Sequence, residues 1–235
     1  MTLRGYQQDL KQEVRQSYIE GFKAPCIVLG CGGGKSVIIA DIAKDATLKG
    51  NRVLVLIHRQ ELKEQIEETF TKWGVVMDKC LVGMVQTICR KLDRIHRPSL
   101  IITDENHHAV AKSYRKIYDY FSEAKILGVT ATPQLLNGGG LGEVNDKLII
   151  GVKTKWLIDN NYLAQYEYYA PPTVSTEGIR TVAGDFNKKE VAERMNKPKI
   201  HGDAIAYYKK LCDGEKAVCY CANIEHSKNM ADMFN

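Results

Sequence analysis

Four glycines, a lysine and a serine fall within seven residues, Gly30-Cys31-Gly32-Gly33-Gly34-Lys35-Ser36. Glycines let a backbone curl until several N–H groups point at one anion. The run follows an apolar stretch, Pro25 to Leu29, and opens a helical pattern from Ser36 to Ala46. An anion held there also meets the positive end of a helix dipole. Gly32, Gly33 and Gly34 would supply backbone donors, Lys35 would reach the outer phosphates of a nucleotide, and the Ser36 hydroxyl would ligand Mg²⁺. The strict phosphate-loop spacing asks for glycine five residues before Gly34, where this chain has Leu29.

Two further segments carry chemistry. Leu100-Ile101-Ile102-Thr103 is an apolar run ending in Asp104-Glu105, followed by Asn106-His107-His108. A carboxylate at the end of a strand beside a phosphate loop can hold Mg²⁺, the role expected of Asp104. The next carboxylate, Glu105, can polarise an attacking water. Thr130-Ala131-Thr132-Pro133 ends another apolar run. Its two hydroxyls would face the crevice at the carboxyl ends of the strands, where α/β sheets bind ligands.

The elements that must position these groups alternate in kind. Strands are predicted at 25–29, 52–57, 100–103 and 126–130, as continuous apolar runs suited to burial on both faces. Helices are predicted at 36–46, 61–73 and 114–121, the last with an aromatic stripe read as core, as are Trp73 and Trp156. Alternation of this kind predicts a parallel sheet with helices on both sides. The pattern changes after Pro133: residues 138–142 read as a glycine loop and 166–183 as extended. Helices follow at 190–195 and 203–211, then a strand at 216–221 and a helix at 225–234. The chain thus reads as a lobe over 1–160, then a linker and the opening of a second lobe over 161–235.

Composition narrows the class. The chain has 235 residues, 44% of them hydrophobic and 26% charged, with net charge +5. No apolar run approaches the roughly 18 residues of a membrane span, and the first residues show no secretory signal, so a soluble cytoplasmic protein with no membrane partner is expected. The charge permits a polyanionic partner without establishing one. Seven cysteines without a C-x-x-C pair lack structural-zinc spacing and read as reduced, mostly buried thiols.

In order and placement, Gly-Gly-Gly-Lys-Ser, Asp-Glu-Asn-His and Thr-Ala-Thr-Pro resemble motifs I, II and III of superfamily-two helicases of the DEAD/DEAH type. The resemblance is to the branch that includes restriction-enzyme motor subunits and bacteriophage helicases. Leu3-Arg4-Gly5-Tyr6-Gln7 is similar to that family's N-terminal motif, which implies nucleotide binding through Arg4 and Gln7, with Gln7 reading adenine. Ile57-His58-Arg59-Gln60-Glu61-Leu62 resembles motif Ia and Val85-Gln86-Thr87-Ile88 the next backbone-contacting motif. His58, Arg59, Gln86 and Thr87 are therefore implied to touch nucleic acid. Residues 217–221 with Glu225-His226-Ser227 look like motif IV, at the start of the second lobe.

The resemblance implies a RecA-like P-loop NTPase lobe plus an incomplete second RecA-like lobe. The activity implied is an ATP-dependent nucleic-acid motor with ATP and Mg²⁺ as cofactors and DNA as the expected track. A host-cytoplasm location would follow from a phage origin. Lys35, Asp104, Glu105 and His107 become the catalytic set, and Thr130 and Thr132 the coupling residues. Asn106 stands where Ala or Cys is usual, and Leu135 where near relatives often have Arg. Motifs V and VI, with an arginine finger, lie beyond Asn235. The chain as given is therefore expected to hydrolyse ATP slowly, with the rest of the second lobe or another subunit as a partner. A small-molecule P-loop NTPase or kinase, and a non-catalytic nucleic-acid-binding fragment, remain as alternatives.

Overall fold

A computed structural model describes residues 1–133, 140–170, 175, 177–182, 185–196 and 198–234. Leu135 and part of the expected loop at 138–142 lie outside the described residues, as does part of the stretch 166–183. The chain divides into two compact units, Met1–Gln165 and Tyr166–Asn235.

The first unit is built on six strands: β1 (Pro25–Val28), β2 (Val53–Ile57), β3 (Cys80–Met84), β4 (Leu100–Asp104), β5 (Lys125–Thr130) and β6 (Lys147–Ile150). They lie in the order β3-β2-β4-β5-β1-β6, and every neighbouring pair is parallel. A parallel sheet needs covering on both faces, and the side-chain alternation of β2 shows how this is met. Val53, Val55 and Ile57 join one core with Leu10, Val14, Ile38, Ile66 and Phe70 from α1 (Gly5–Ile19), α2 (Lys35–Leu48) and α3 (Glu61–Trp73). Leu54 and Leu56 point the other way, into a second core with α4 (Val85–Ile88) and α5 (Lys112–Tyr120). Each such side chain contributes about 1.5–3 kcal/mol on burial.

The four expected strands and three expected helices of this unit are present within a few residues of their predicted bounds. The aromatic stripe of α5 is core: Tyr114, Tyr118 and the following Phe121 are buried, as is Trp73. Trp156 is not core. It lies on α6 (Thr154–Asp159), 39% exposed, stacked on Tyr162 with 5.8 Å between ring centroids. Helix α1 and the strands β3 and β6 have no counterpart among the elements expected from sequence. The cysteines also differ from expectation. All seven are free, but only Cys26 and Cys80 are buried, because the others lie on loops or helix surfaces rather than inside strands.

The second unit holds a two-stranded antiparallel ribbon, β7 (Thr181–Val182) with β8 (Asp185–Phe186). Three helices follow: α7 (Lys188–Met195), α8 (Pro198–Cys212) and α9 (Ile224–Phe234). The expected strand at 216–221 is not formed; its residues are mostly exposed, and no described strand pairs with them. A strand is held by ladder hydrogen bonds to a neighbour, so an apolar run alone does not make one.

Candidate functional site

The sheet order decides which loops meet. β4, β5 and β1 are consecutive, and the register pairs Asp104 with Val129 and Val28 with Thr130. The three strands therefore end level, and the loops after them form one crevice at the carboxyl edge. These loops carry the glycine run, Asp104-Glu105 and Thr130-Ala131-Thr132. On the other side of β4, Ile57 pairs with Met84, so the loop holding His58 and Arg59 lies beside α4 with Gln86 and Thr87. Along one edge the order is nucleic-acid candidates, then carboxylates, then hydroxyls, then phosphate loop.

The phosphate loop turns through two glycines with positive φ, Gly32 at 77° and Gly34 at 83°. Gly34 has a second reason to be glycine: a Cβ there would lie 2.4 Å from Gln7 Nε2. The loop runs directly into α2, a 14-residue helix whose first two residues are Lys35 and Ser36. Lys35 Nζ donates across the loop to the Leu29 carbonyl at 3.3 Å, so the ammonium already sits over the curled backbone.

Gln7 is buried against this loop. Its Nε2 donates to the Gly33 carbonyl at 3.1 Å and its Oε1 accepts from Arg4 N at 2.9 Å. Tyr6 Oη donates to the same Gly33 carbonyl at 2.8 Å. Arg4 lies over the Tyr162 ring, 4.5 Å from its centroid, and Tyr6 packs edge-on against Trp156. The N-terminal residues thus brace the loop from behind. Sequence reasoning misses Tyr6, Trp156 and Tyr162 as site residues; the one signal for them is the adjacency of Tyr6 to Gln7.

Asp104 is largely buried at the end of β4. Burial is the main force raising its carboxyl above the usual range, the neighbouring Glu105 adds to it, and a hydrogen bond from the Glu105 backbone and the charge of Lys35 pull the other way. A carboxyl whose folded pKa exceeds its unfolded one binds its proton more tightly in the native state. That stabilisation is present at low pH and lost as pH rises through the folded pKa. Without bound nucleotide, Asp104→Asn is therefore expected to raise the thermal midpoint at neutral pH. The gain should shrink as pH falls through the raised pKa, which thermal denaturation across a pH series checks. A lowered midpoint at neutral pH would contradict it.

Glu105 has φ 50° and ψ 52°, the left-handed region that costs a non-glycine residue about 1–2 kcal/mol. This turn sends its side chain out of the sheet while its N–H bonds Asp104 Oδ1 at 3.0 Å. His107 sits at the centre of the crevice. Its Nδ1 is 3.0 Å from Thr130 Oγ1, 3.3 Å from Thr132 Oγ1 and 3.4 Å from Glu105 Oε2. Thr130 Oγ1 donates its one hydrogen to the Thr132 carbonyl at 3.0 Å and accepts from Thr132 N at 3.1 Å. The Thr130 oxygen can then only accept from His107, so Nδ1 carries the hydrogen.

His108, expected from sequence to be structural, bridges outward. Its ring stacks on His58 at 4.2 Å and lies 4.1 Å from His107. Burial, with His107 and His58 beside it, lowers its pKa and favours the neutral ring.

Asn106, the departure in this motif, is fully buried. Its Nδ2 donates to Asn145 Oδ1 at 2.6 Å, and Asn145 in turn bonds the Ala24 carbonyl at 3.0 Å. Room for the larger side chain comes from Gly128 of β5, where a Cβ would lie 2.5 Å from Asn106 Cγ.

His58, Arg59, Gln86 and Thr87 are all exposed. Arg115 pairs with Glu143, and Arg180, in the second unit, pairs with Glu190 at 2.6 Å.

The family described as type III restriction enzyme, res subunit, matches residues 1–91 and 77–135. A 51.5 kDa protein of Lactococcus phage (isolate 7-9) is 39% identical over 203 residues, covering 86% of this chain and 45% of that protein. IRC3 of Saccharomyces cerevisiae, assigned as an ATP-dependent helicase, is 30% identical over 88% of this chain and 34% of its own length. The chain thus spans less than half the length of these relatives. Among solved structures, the type ISP restriction-modification enzyme LlaGI shares the fold at TM-score 0.56 and 14% identity, over 91% of this chain and 23% of that one. The UvsW helicase of bacteriophage T4 does so at TM-score 0.50 and 18% identity, over 64% and 60%. With more than half its residues matched by the family, this chain belongs to the type III restriction enzyme res-subunit family and carries the N-terminal RecA-like lobe of a superfamily-two helicase-like protein.

Proposed function

We propose that this lobe binds ATP with Mg²⁺ and couples ATP hydrolysis to movement on nucleic acid, with DNA as the track. The observation that carries the reading is the meeting of three loops at the ends of β4, β5 and β1, with His107 between Glu105 and the two threonines. The names of relatives point the same way: IRC3 is assigned as an ATP-dependent helicase, and LlaGI was solved with a DNA substrate mimic.

In this reading the N–H groups of residues 32–36 and the Lys35 ammonium hold the β- and γ-phosphates. The donor set suits a hard cation. Ser36 offers a hydroxyl and Asp104 a carboxylate whose burial makes an adjacent positive charge favourable. Mg²⁺ typically takes one or two protein oxygens and fills its remaining positions with water and phosphate. When bound, it would neutralise charge on the phosphate oxygens. Glu105 stands at the mouth of the crevice, where its carboxylate orients a water and accepts its proton. His107 reads the state of that carboxylate and passes it to Thr130 and Thr132. The His107-His108-His58 stack connects the same point to Arg59, Gln86 and Thr87, which hold the nucleic-acid backbone.

Steady-state ATP hydrolysis by the whole protein, with and without single- and double-stranded DNA and RNA, tests this. Stimulation by nucleic acid, greatest with DNA, is expected. Turnover indifferent to every nucleic acid and raised by a small-molecule acceptor would replace the reading with a kinase-type one.

A further inference from the structure

The connection from β3 to β4 must return the chain from the carboxyl edge of the sheet to its amino edge. Residues 85–99 do this with α4 and a single 3₁₀ turn at Leu92–Arg94. Ile88, Leu92 and Pro98 are buried and pin the segment down. Between these anchors Cys89 and Ile95 pack against the core, and the exposed side chains are strongly basic. Residues 89–98 contain four Arg or Lys and one Asp, a net +3 in a chain whose total is +5. Among the described residues, no carboxylate lies within ion-pairing distance of Arg90, Lys91, Arg94 or Arg97, nor of Arg52 or Lys79 at the near ends of β2 and β3.

The segment lies beside β3, the edge strand, and two adjoining grooves follow that edge. The first, of about 290 Å³, is lined by Gln60, Lys63, Thr87, Lys91 and Arg94, so it begins at the motif Ia and α4 loops. The second, of about 240 Å³, is lined by Arg52, Lys79, Arg94 and His96, with Asp78 as its one acidic side chain. Arg94 belongs to both. A row of cations thus leads from the candidate nucleic-acid loops at the carboxyl edge down to the amino edge; Lys63 is paired with Glu67, while Lys91, Arg94, Arg52 and Lys79 have no carboxylate partner among the described residues.

We propose that this row is a second binding surface for a nucleic-acid phosphate backbone, with Lys91, Arg94 and Arg52 as its main contacts. It extends the track beyond the motif Ia and α4 loops and rests on the proposed motor function. Charge complementarity argues for the occupant. Unpaired guanidinium groups in a shallow groove match phosphate oxygens in a forked geometry. The edge strand's five residues span about 16 Å, the length of roughly five phosphates along one strand. The grooves offer no aromatic platform for bases apart from His96, so binding is to backbone and independent of sequence.

Fluorescence anisotropy with labelled DNA of two unrelated sequences, over a salt series, tests the surface. The triple variant Arg52→Ala/Lys91→Ala/Arg94→Ala should weaken binding equally on both sequences. It should also reduce the steepness of log K against log salt by about 2–3, since each lost phosphate contact removes roughly 0.9. Arg94→Lys, which keeps the charge, should retain the parent slope. If circular dichroism shows the triple variant misfolded, Arg52→Glu and Arg94→Glu should each singly weaken binding on both sequences and lower the slope by about 1. Parent affinity and slope in the variants, alongside weakening by Arg59→Ala, would overturn this surface alone. No DNA binding by the parent chain would overturn the motor function with it.

Discussion

Glu105→Gln is expected to leave ATP binding intact while nucleic-acid-stimulated turnover of the whole protein falls by about 10²–10⁴-fold, the usual worth of a positioned general base. The amide has the shape of the carboxylate but cannot take a proton from water. Its left-handed backbone, φ 50°, is equally available to Gln, so the turn and the Asp104 hydrogen bond should survive. Rapid-quench or steady-state phosphate release gives the rate, and a nucleotide titration gives the affinity. Turnover near the parent value would remove Glu105 from the chemistry and leave it as a turn residue that holds His107.

The second large effect is on affinity. Lys35→Ala removes the ammonium that lies over the glycine loop, whose Nζ is 3.3 Å from the Leu29 carbonyl. Charge-assisted hydrogen bonds are worth about 1.5–3 kcal/mol, so the Kd for ATP should rise roughly 10- to 100-fold. Isothermal titration with ATP and Mg²⁺ reads this directly. The fold should hold, because a partly exposed lysine at a helix start contributes little to the core. Unchanged affinity would place the nucleotide elsewhere on the molecule.

The chemistry legible in the amino-acid sequence is the chemistry that is local in it. The glycine run, the Asp104-Glu105 pair and the Thr130/Thr132 pair are each contiguous, and central strands buried on both faces announce themselves, as Val53 to Ile57 do. Edge strands do not. In β3 Gly83 interrupts the run, and β6 offers only the three apolar residues Leu148-Ile149-Ile150, too short a run to read as a strand by itself. Helix α1 is hidden by its Gln, Lys and Arg surface, although Tyr6, Leu10 and Val14 recur at four-residue spacing and are buried. The strand expected at 216–221 fails for the opposite reason: its residues are apolar enough, but strand formation needs a partner that composition does not reveal. The bracing of the phosphate loop by Gln7 and Tyr6 joins residues 26 and 27 apart in sequence, and the His58-His108 stack joins residues 50 apart. Such contacts follow from strand order, and strand order is not written in any one segment.

In the proposed motor, nucleotide state and nucleic-acid grip are coupled through the crevice at the ends of β4 and β5. Linkage makes that coupling measurable in either direction. Binding of labelled DNA should be measured at fixed salt with no nucleotide, with ADP and Mg²⁺, and with a non-hydrolysable ATP analogue and Mg²⁺. Affinity is expected to change between nucleotide states by about 5- to 150-fold, a coupling of about 1–3 kcal/mol, and Lys35→Ala to abolish the difference. DNA affinity identical in all three states, in a protein that binds both ligands, would contradict it.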